Sequence, residues 1–192
     1  MKLKLLMGIL IVGLLSGCSS KSNFYQLQPN STGSAGSTAS MKHTVIGVAE
    51  VEVPGYLNKP EMVTRLTEGR IVVHDQERWA DAFPNNIQSV LRHNLATLLP
   101  QYTFLSYPWE EPLSERYRIY VTIDRFDGNS AGFVRLEGRW SLVDKEDNSV
   151  VLGRSFRSQA QGGESLDALV ATQSRLLDRL SREIAVKIRT RI

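Results

Sequence analysis

Cysteine is nearly absent from this chain of 192 residues: there is one, Cys18. A single thiol excludes an intramolecular disulfide and any zinc cluster built on cysteines. Histidine is as scarce. His43, His74 and His93 fall in a linker, a strand and a helix, and no ligand spacing joins them, so no metal site and no cofactor is expected. No Gly-x-Ser-x-Gly elbow and no glycine loop suited to phosphate occurs. Apolar runs are short as well. Residues 5–15 stop well before the roughly 20 needed to span a bilayer. A strong charge of one sign is also missing, because 23 Lys and Arg stand against 20 Asp and Glu. Lys2 and Lys4 belong to a segment expected to be removed. The mature chain is then nearly neutral, which argues against nucleic acid as a partner.

What is present begins at the N-terminus. Lys2 and Lys4 make a positive region, residues 5–15 an apolar one, and small Ser16 and Gly17 precede Cys18. This order predicts a secretory signal over 1–17. An ordinary signal with an incidental cysteine would leave an exported protein with one unpaired reactive thiol. Leu15-Ser16-Gly17-Cys18 instead resembles the lipobox of bacterial lipoproteins. That resemblance implies a diacylglycerol thioether on Cys18, cleavage before it, and acylation of the new amine, with palmitate the expected acyl group. Each buried methylene contributes about 0.8 kcal/mol, so three chains hold a protein firmly without spanning. Ser19 stands where an aspartate commonly retains lipoproteins at the inner membrane. The resemblance thus implies the periplasmic face of the outer membrane, for a Gram-negative source.

Beyond Cys18 the reading divides the chain into a lipidated N-terminus with flexible linker, 18–44, and one domain, 45–192. Residues 28–44 are rich in Ser, Thr, Gly and Asn, and such a tether reaches about 23 Å. Phe24 and Tyr25 suit either a lipid interface or an edge strand, with docking favoured. Residues 44–53 read as a β-branched strand, and 62–66 with 70–74 as a hairpin turning at 67–69. Ile87, Val90, Leu91, Leu95, Leu98 and Leu99 recur at helical spacing. Asp81 or Asn85 is the expected cap of that helix, and Pro100 its stop. After a strand at 102–107 and a loop at 108–112, strands at 117–126, 132–144 and 150–161 predict an antiparallel meander with turns at 127–130 and 144–149. Ser165 caps a last helix over 166–189, whose Leu169, Leu176, Leu180 and Ile184 share a face. The fold class is therefore α+β: a mostly antiparallel sheet with two amphipathic helices packed on one face.

No catalytic constellation emerges, and no enzyme is expected. Asp124 and Asp127, around Arg125, read as solvated turn residues. Arg175, Arg179, Arg182, Arg189 and Arg191, interleaved with Asp178 and Glu183, read as a solvated helix face rather than a headgroup site. Trp140 alternates into the core, whereas Trp109, flanked by Pro108 and Pro112, is a candidate for exposed contact.

Four stretches carry a wider resemblance. They are Phe24-Tyr25-Gln26-Leu27; Val51-Glu52-Val53-Pro54-Gly55-Tyr56-Leu57 with Met62-Val63; Arg78-Trp79-Ala80 with Leu91, Asn94-Leu95 and Leu98-Leu99-Pro100; and Arg125-Phe126-Asp127-Gly128 with Val134, Leu136, Gly138 and Trp140. In that order after a lipobox, they resemble the ABC-type transport auxiliary lipoproteins. The resemblance implies a subunit of an MCE-type lipid transport system that docks the periplasmic MCE component at the outer membrane and supports membrane integrity. An MCE-domain protein and an inner-membrane component are the partners implied, and a homo-oligomeric ring is left open. Tyr56, Leu57 and Trp109 are then the partner-contact candidates, expected to be exposed. The other readings are a regulator of a cell-wall synthase, against which the short tether speaks, and an envelope hydrolase, which needs a nucleophile with its base or two carboxylates in a cleft.

Overall fold

A computed structural model describes residues 21–31, 44–108 and 115–192. Cys18, Ser19, His43, Trp109 and linker residues 32–43 lie outside the described residues.

The elements run β1 (Asn23–Tyr25), β2 (Val45–Val48), β3 (Glu61–Thr67), β4 (Arg70–Trp79), α1 (Phe83–Leu98), β5 (Thr103–Ser106), β6 (Tyr117–Asn129), β7 (Phe133–Asp144), β8 (Val150–Gln161) and α2 (Leu166–Arg189). All eight strands of the described residues join one sheet, and the fold is α+β with the sheet rich in antiparallel pairing, as expected. It is mixed, however. β6, β7 and β8 form the expected meander, and β3 and β4 the expected hairpin. β1 pairs with β4, β2 with β5 and β6, and β3 with β6 in parallel.

The sheet is organised by β6. One of its edges carries β7 over nearly its whole length. The other is shared end to end by two segments. β2 runs beside Tyr117–Ile119, and β3 meets only Gly128 and Asn129. Between them the strand expected over 44–53 is interrupted after Val48. Its ladder resumes where Glu52 N–H donates to Val121 O and Ile123 N–H to Glu52 O. Four residues advance from Val48 to Glu52 against three from Ile119 to Thr122, so one extra residue is accommodated as a bulge.

Alternation along β6 and β7 sends Ile119, Val121, Ile123, Phe126, Val134, Leu136, Trp140 and Leu142 into the core beneath the helices. Gly138 is required here. A Cβ on it would lie 2.2 Å from the carbonyl oxygen of Thr122 and 2.8 Å from the ring of Phe156, which occupies the space a side chain would need. On the opposite face Arg139 meets Asp124 at 3.5 Å, an exposed pair of small energetic weight, and exposed Arg157 meets the partly buried Glu137 at 3.2 Å.

α1 starts at Phe83 with Pro84 in its first turn. Neither Asp81 nor Asn85 caps it. The cap position is Ala82, which makes no side-chain cap bond, and Asp81 accepts from Ala82 N–H one step before the helix. Proline in the first turn supplies the helical φ and removes one donor that a cap would otherwise satisfy. Trp79, expected to lead into this helix, ends β4 instead and stacks on Phe83 at 4.4 Å between ring centroids. Ser165 caps α2 as expected, accepting from Ala168 N–H. Asp167 in its first turn and Lys187 and Arg189 in its last match the helix dipole.

The N-terminal segment departs most from the sequence reading. β1 adds to the edge of β4, as favoured for Phe24 and Tyr25, but the chain then continues as a strap against both helices. Leu27 is 1% exposed, and its N–H donates to Asn86 Oδ1 at 2.7 Å. Gln28 N–H donates to Ser174 Oγ, Ser31 N–H to Asn94 Oδ1, and Ser31 Oγ to Asp178. Residues 28–31, expected in the flexible linker, are thus held by side chains from α1 and α2. Their backbone donors find partners that composition alone does not reveal.

Candidate functional site

Two features stand apart from ordinary core packing. The first is a buried polar hub on Asp127. This residue lies within β6, not in the solvated turn expected at 127–130, and its side chain is fully buried. The turn is displaced to 130–132, where Asn129 Oδ1 accepts from Ala131 and Phe133 and Gly132 takes φ 76°. Three residues converge on the carboxylate. Arg65 of β3 donates from Nη2 at 2.8 Å and from Nε, Arg125 donates from Nε at 3.0 Å, and the Tyr56 hydroxyl donates at 2.7 Å. Glu68 closes the circuit through its carbonyl oxygen to Arg65 and its carboxylate to Arg125.

Burial alone would raise the carboxyl of Asp127. Hydrogen bonds from Arg65, Tyr56 and Arg125 outweigh that and hold it below the usual carboxylate range. Burial, followed by the bond to Asp127, pushes the Tyr56 phenol up to about 12. The guanidinium of Arg65 is held still more firmly protonated, first by its bond to Asp127. A general acid or base needs a pKa near the working pH and a reachable proton. Asp127 has neither, being ionised and enclosed by its donors. The hub works as a latch: β3 meets β6 through two residue pairs only, and Arg65–Asp127 with Tyr56 joins β3, the 54–60 loop and β6 at that junction. Arg125 precedes Asp127 by two residues on the same strand face, and that spacing was the signal in the sequence.

The second feature is an open groove of about 640 Å³. Ala49, Val51 and Val53 line it beside Pro84, Tyr107 and Tyr120. Arg118 is also in its wall, bonded to Glu115 and to the Tyr120 hydroxyl at 3.3 Å. Beneath it Gln88 Nε2 bridges the carbonyls of Val48, Ala49 and Tyr107, fixing the bulge to α1 and to the end of β5. Tyr107 is 50% and Tyr120 38% exposed, so two aromatic rings face solvent at this groove.

The structure separates the expected contact residues. Leu57 is buried, 4% exposed, and packs in the core, so it does not project as expected. Tyr56 is half-buried, with its hydroxyl committed to Asp127 and Arg65 5.6 Å over its ring. Both turn inward because the loop from Pro54 folds back, with Leu57 N–H donating to Pro54 O. Cys18 and Trp109 lie outside the described residues. Trp140 is core, as expected. On α2, Arg182 pairs with Asp178 one turn away, consistent with a solvated face. His74 bonds Thr64 across the β3–β4 hairpin. Among the described residues, no cluster of three or more His, Cys, Asp or Glu converges as metal ligands would. No helix among them is long and apolar enough to cross a membrane.

The chain is a member of the ABC-type transport auxiliary lipoprotein family, whose sequence profile matches residues 25–185. It is 28% identical over 179 residues to the intermembrane transport lipoprotein PqiC of Escherichia coli K12, covering 91% of this chain and 92% of that protein. PqiC of Shigella flexneri matches to the same extent. Among solved structures, the fold is shared with a crystal structure of an uncharacterized protein (TM-score 0.73, 22% identity, 88% of this chain and 99% of the other). It is also shared with XCC0632 of Xanthomonas campestris (TM-score 0.66, 16% identity, 85% and 92%). The family is one of transport auxiliary lipoproteins, not of enzymes.

Proposed function

We propose that this protein is the outer-membrane lipoprotein of an MCE-type intermembrane lipid transport system, held by acyl chains on Cys18. It docks the periplasmic MCE component at the outer membrane and so supports membrane integrity. The observation that carries this reading is the match to PqiC, an intermembrane transport lipoprotein, over nearly the whole of both chains. The family match supports it, as do the signal and lipobox pattern at residues 1–18. An inner-membrane component of the same system completes the assembly.

The contact side chains are drawn from the aromatics, which are enriched at interfaces. Tyr107 and Tyr120 join Trp109 as candidates. Leu57 and Tyr56 support the loop from within.

The test is purification of the lipidated protein in detergent from its native membrane after mild crosslinking. The expected result is recovery of an MCE-domain protein, reduced by Tyr120→Ala or Trp109→Ala and unaffected by Val186→Ala on α2. Recovery of a cell-wall synthase with no MCE protein overturns the proposal.

A further inference from the structure

We infer that the free edge of β1 faces the bilayer carrying the anchor, and that Phe24 seats its ring among the lipid headgroups. The inference rests on lipidation of Cys18, as proposed above. Its first support is length. Four residues lie between Cys18 and Asn23, the first residue of β1, so the two are five residue steps apart. Fully extended, they span at most about 18 Å. The linker at 32–43 adds nothing to this reach, because it follows the docked strap in the chain. Nor does the strap pay out: Leu27, Gln28 and Ser31 are bonded to Asn86, Ser174 and Asn94 on the two helices. The lipid chains therefore hold one edge of the sheet close to the membrane, where a tether including residues 28–44 would have let the domain swing freely.

The second support is Phe24 itself. On β1 its neighbour Tyr25 packs against the core, so alternation directs Phe24 outward. It is 66% exposed, more than any other large apolar side chain among the described residues. Among the described residues β1 is the last strand on its side of the sheet, so its outer edge has no further strand beside it. Exposed Lys21 lies between Phe24 and the anchor, where an ammonium meets headgroup phosphates. An aromatic ring and a lysine within one short tether of acyl chains are the groups that settle at a bilayer boundary. A bilayer is the occupant that this distance selects over a second protein.

Anchoring strength cannot test the inference, because the acyl chains dominate it. Depth can. The chain has no cysteine besides Cys18, whose thiol the lipid occupies, so an introduced thiol is the one labelled. A nitroxide is placed at Phe24→Cys or, as an aqueous reference, at Val150→Cys, where the native side chain is 65% exposed. Each lipidated protein is reconstituted in vesicles of phosphatidylethanolamine and phosphatidylglycerol. The ratio of oxygen to nickel-chelate accessibility is expected to be several-fold higher at position 24 than at position 150. Equal ratios in protein that floats with the vesicles overturn the inference and leave the anchor reading intact. A label at 24 shielded from both relaxants overturns it in favour of a protein neighbour. Failure to float with the vesicles removes the anchor reading, and this inference with it.

Discussion

Replacing Asp127 with asparagine removes one negative charge from a site where two guanidinium groups remain. The side chain of Asp127 is 0% exposed, and those of Arg65 and Arg125 are 14% and 17% exposed. In the variant these two cations face each other across an amide whose nitrogen offers donors where acceptors are needed. Removing one partner of a buried ion pair costs about 3–5 kcal/mol, largely because the charges left behind are uncompensated. Domains of this kind are stable by about 5–15 kcal/mol, so the loss is a large share of the total. Asp124→Asn is the control, three residues earlier on the same strand. Its partner Arg139 is 3.5 Å away and both side chains are about 60% exposed, so the change should cost less than about 1 kcal/mol. Urea denaturation followed by circular dichroism measures both.

The acid limb adds a second check. The carboxyl of Asp127 is held below its unfolded value, so its contribution is full above about pH 4 and is lost as pH falls through the lower folded value. The stability gap between wild type and Asp127→Asn should therefore narrow in acid. A loss at neutral pH no larger than that of Asp124→Asn would refute the latch.

Three further outcomes follow from other contacts. The Tyr56 phenol is raised to about 12, so its contribution is full below about pH 10 and is lost as pH climbs towards 12; Tyr56→Phe should flatten that part of the stability–pH curve, read by denaturant titration at each pH. Leu27→Ala should cost about 2–5 kcal/mol through the cavity it leaves, and hydrogen exchange should show the amides of Leu27, Gln28 and Ser31 losing protection ahead of β6 and β7. Gly138→Ala should destabilise by at least about 1–3 kcal/mol, because the new Cβ meets the backbone of β6, which cannot rotate away; a melting temperature within a degree of wild type would contradict this.

The sequence by itself determined the elements whose burial follows a local period. The alternation of Ile119, Val121 and Ile123, the helical spacing in α1 and α2, the Ser165 cap and the inward Trp140 all depend on which face of one segment is apolar. That face is written into neighbouring residues. The lipobox pattern is likewise a local signal. Tertiary structure decided everything that joins distant segments. Asp127 looked like a turn residue because Asp-Gly-Asn-Ser is turn composition, and its burial becomes tolerable when Arg65 and Tyr56, 62 and 71 positions away, join the nearby Arg125 on its carboxylate. Leu57 pointed outward by its place in a Pro-Gly loop, yet that loop folds back on the core. Residues 28–31 looked like linker because polar side chains cannot pack apolar surface. They are held instead through backbone donors, which carry no sequence signature, and through the Ser31 hydroxyl, all finding acceptors on helices that fold far along the chain.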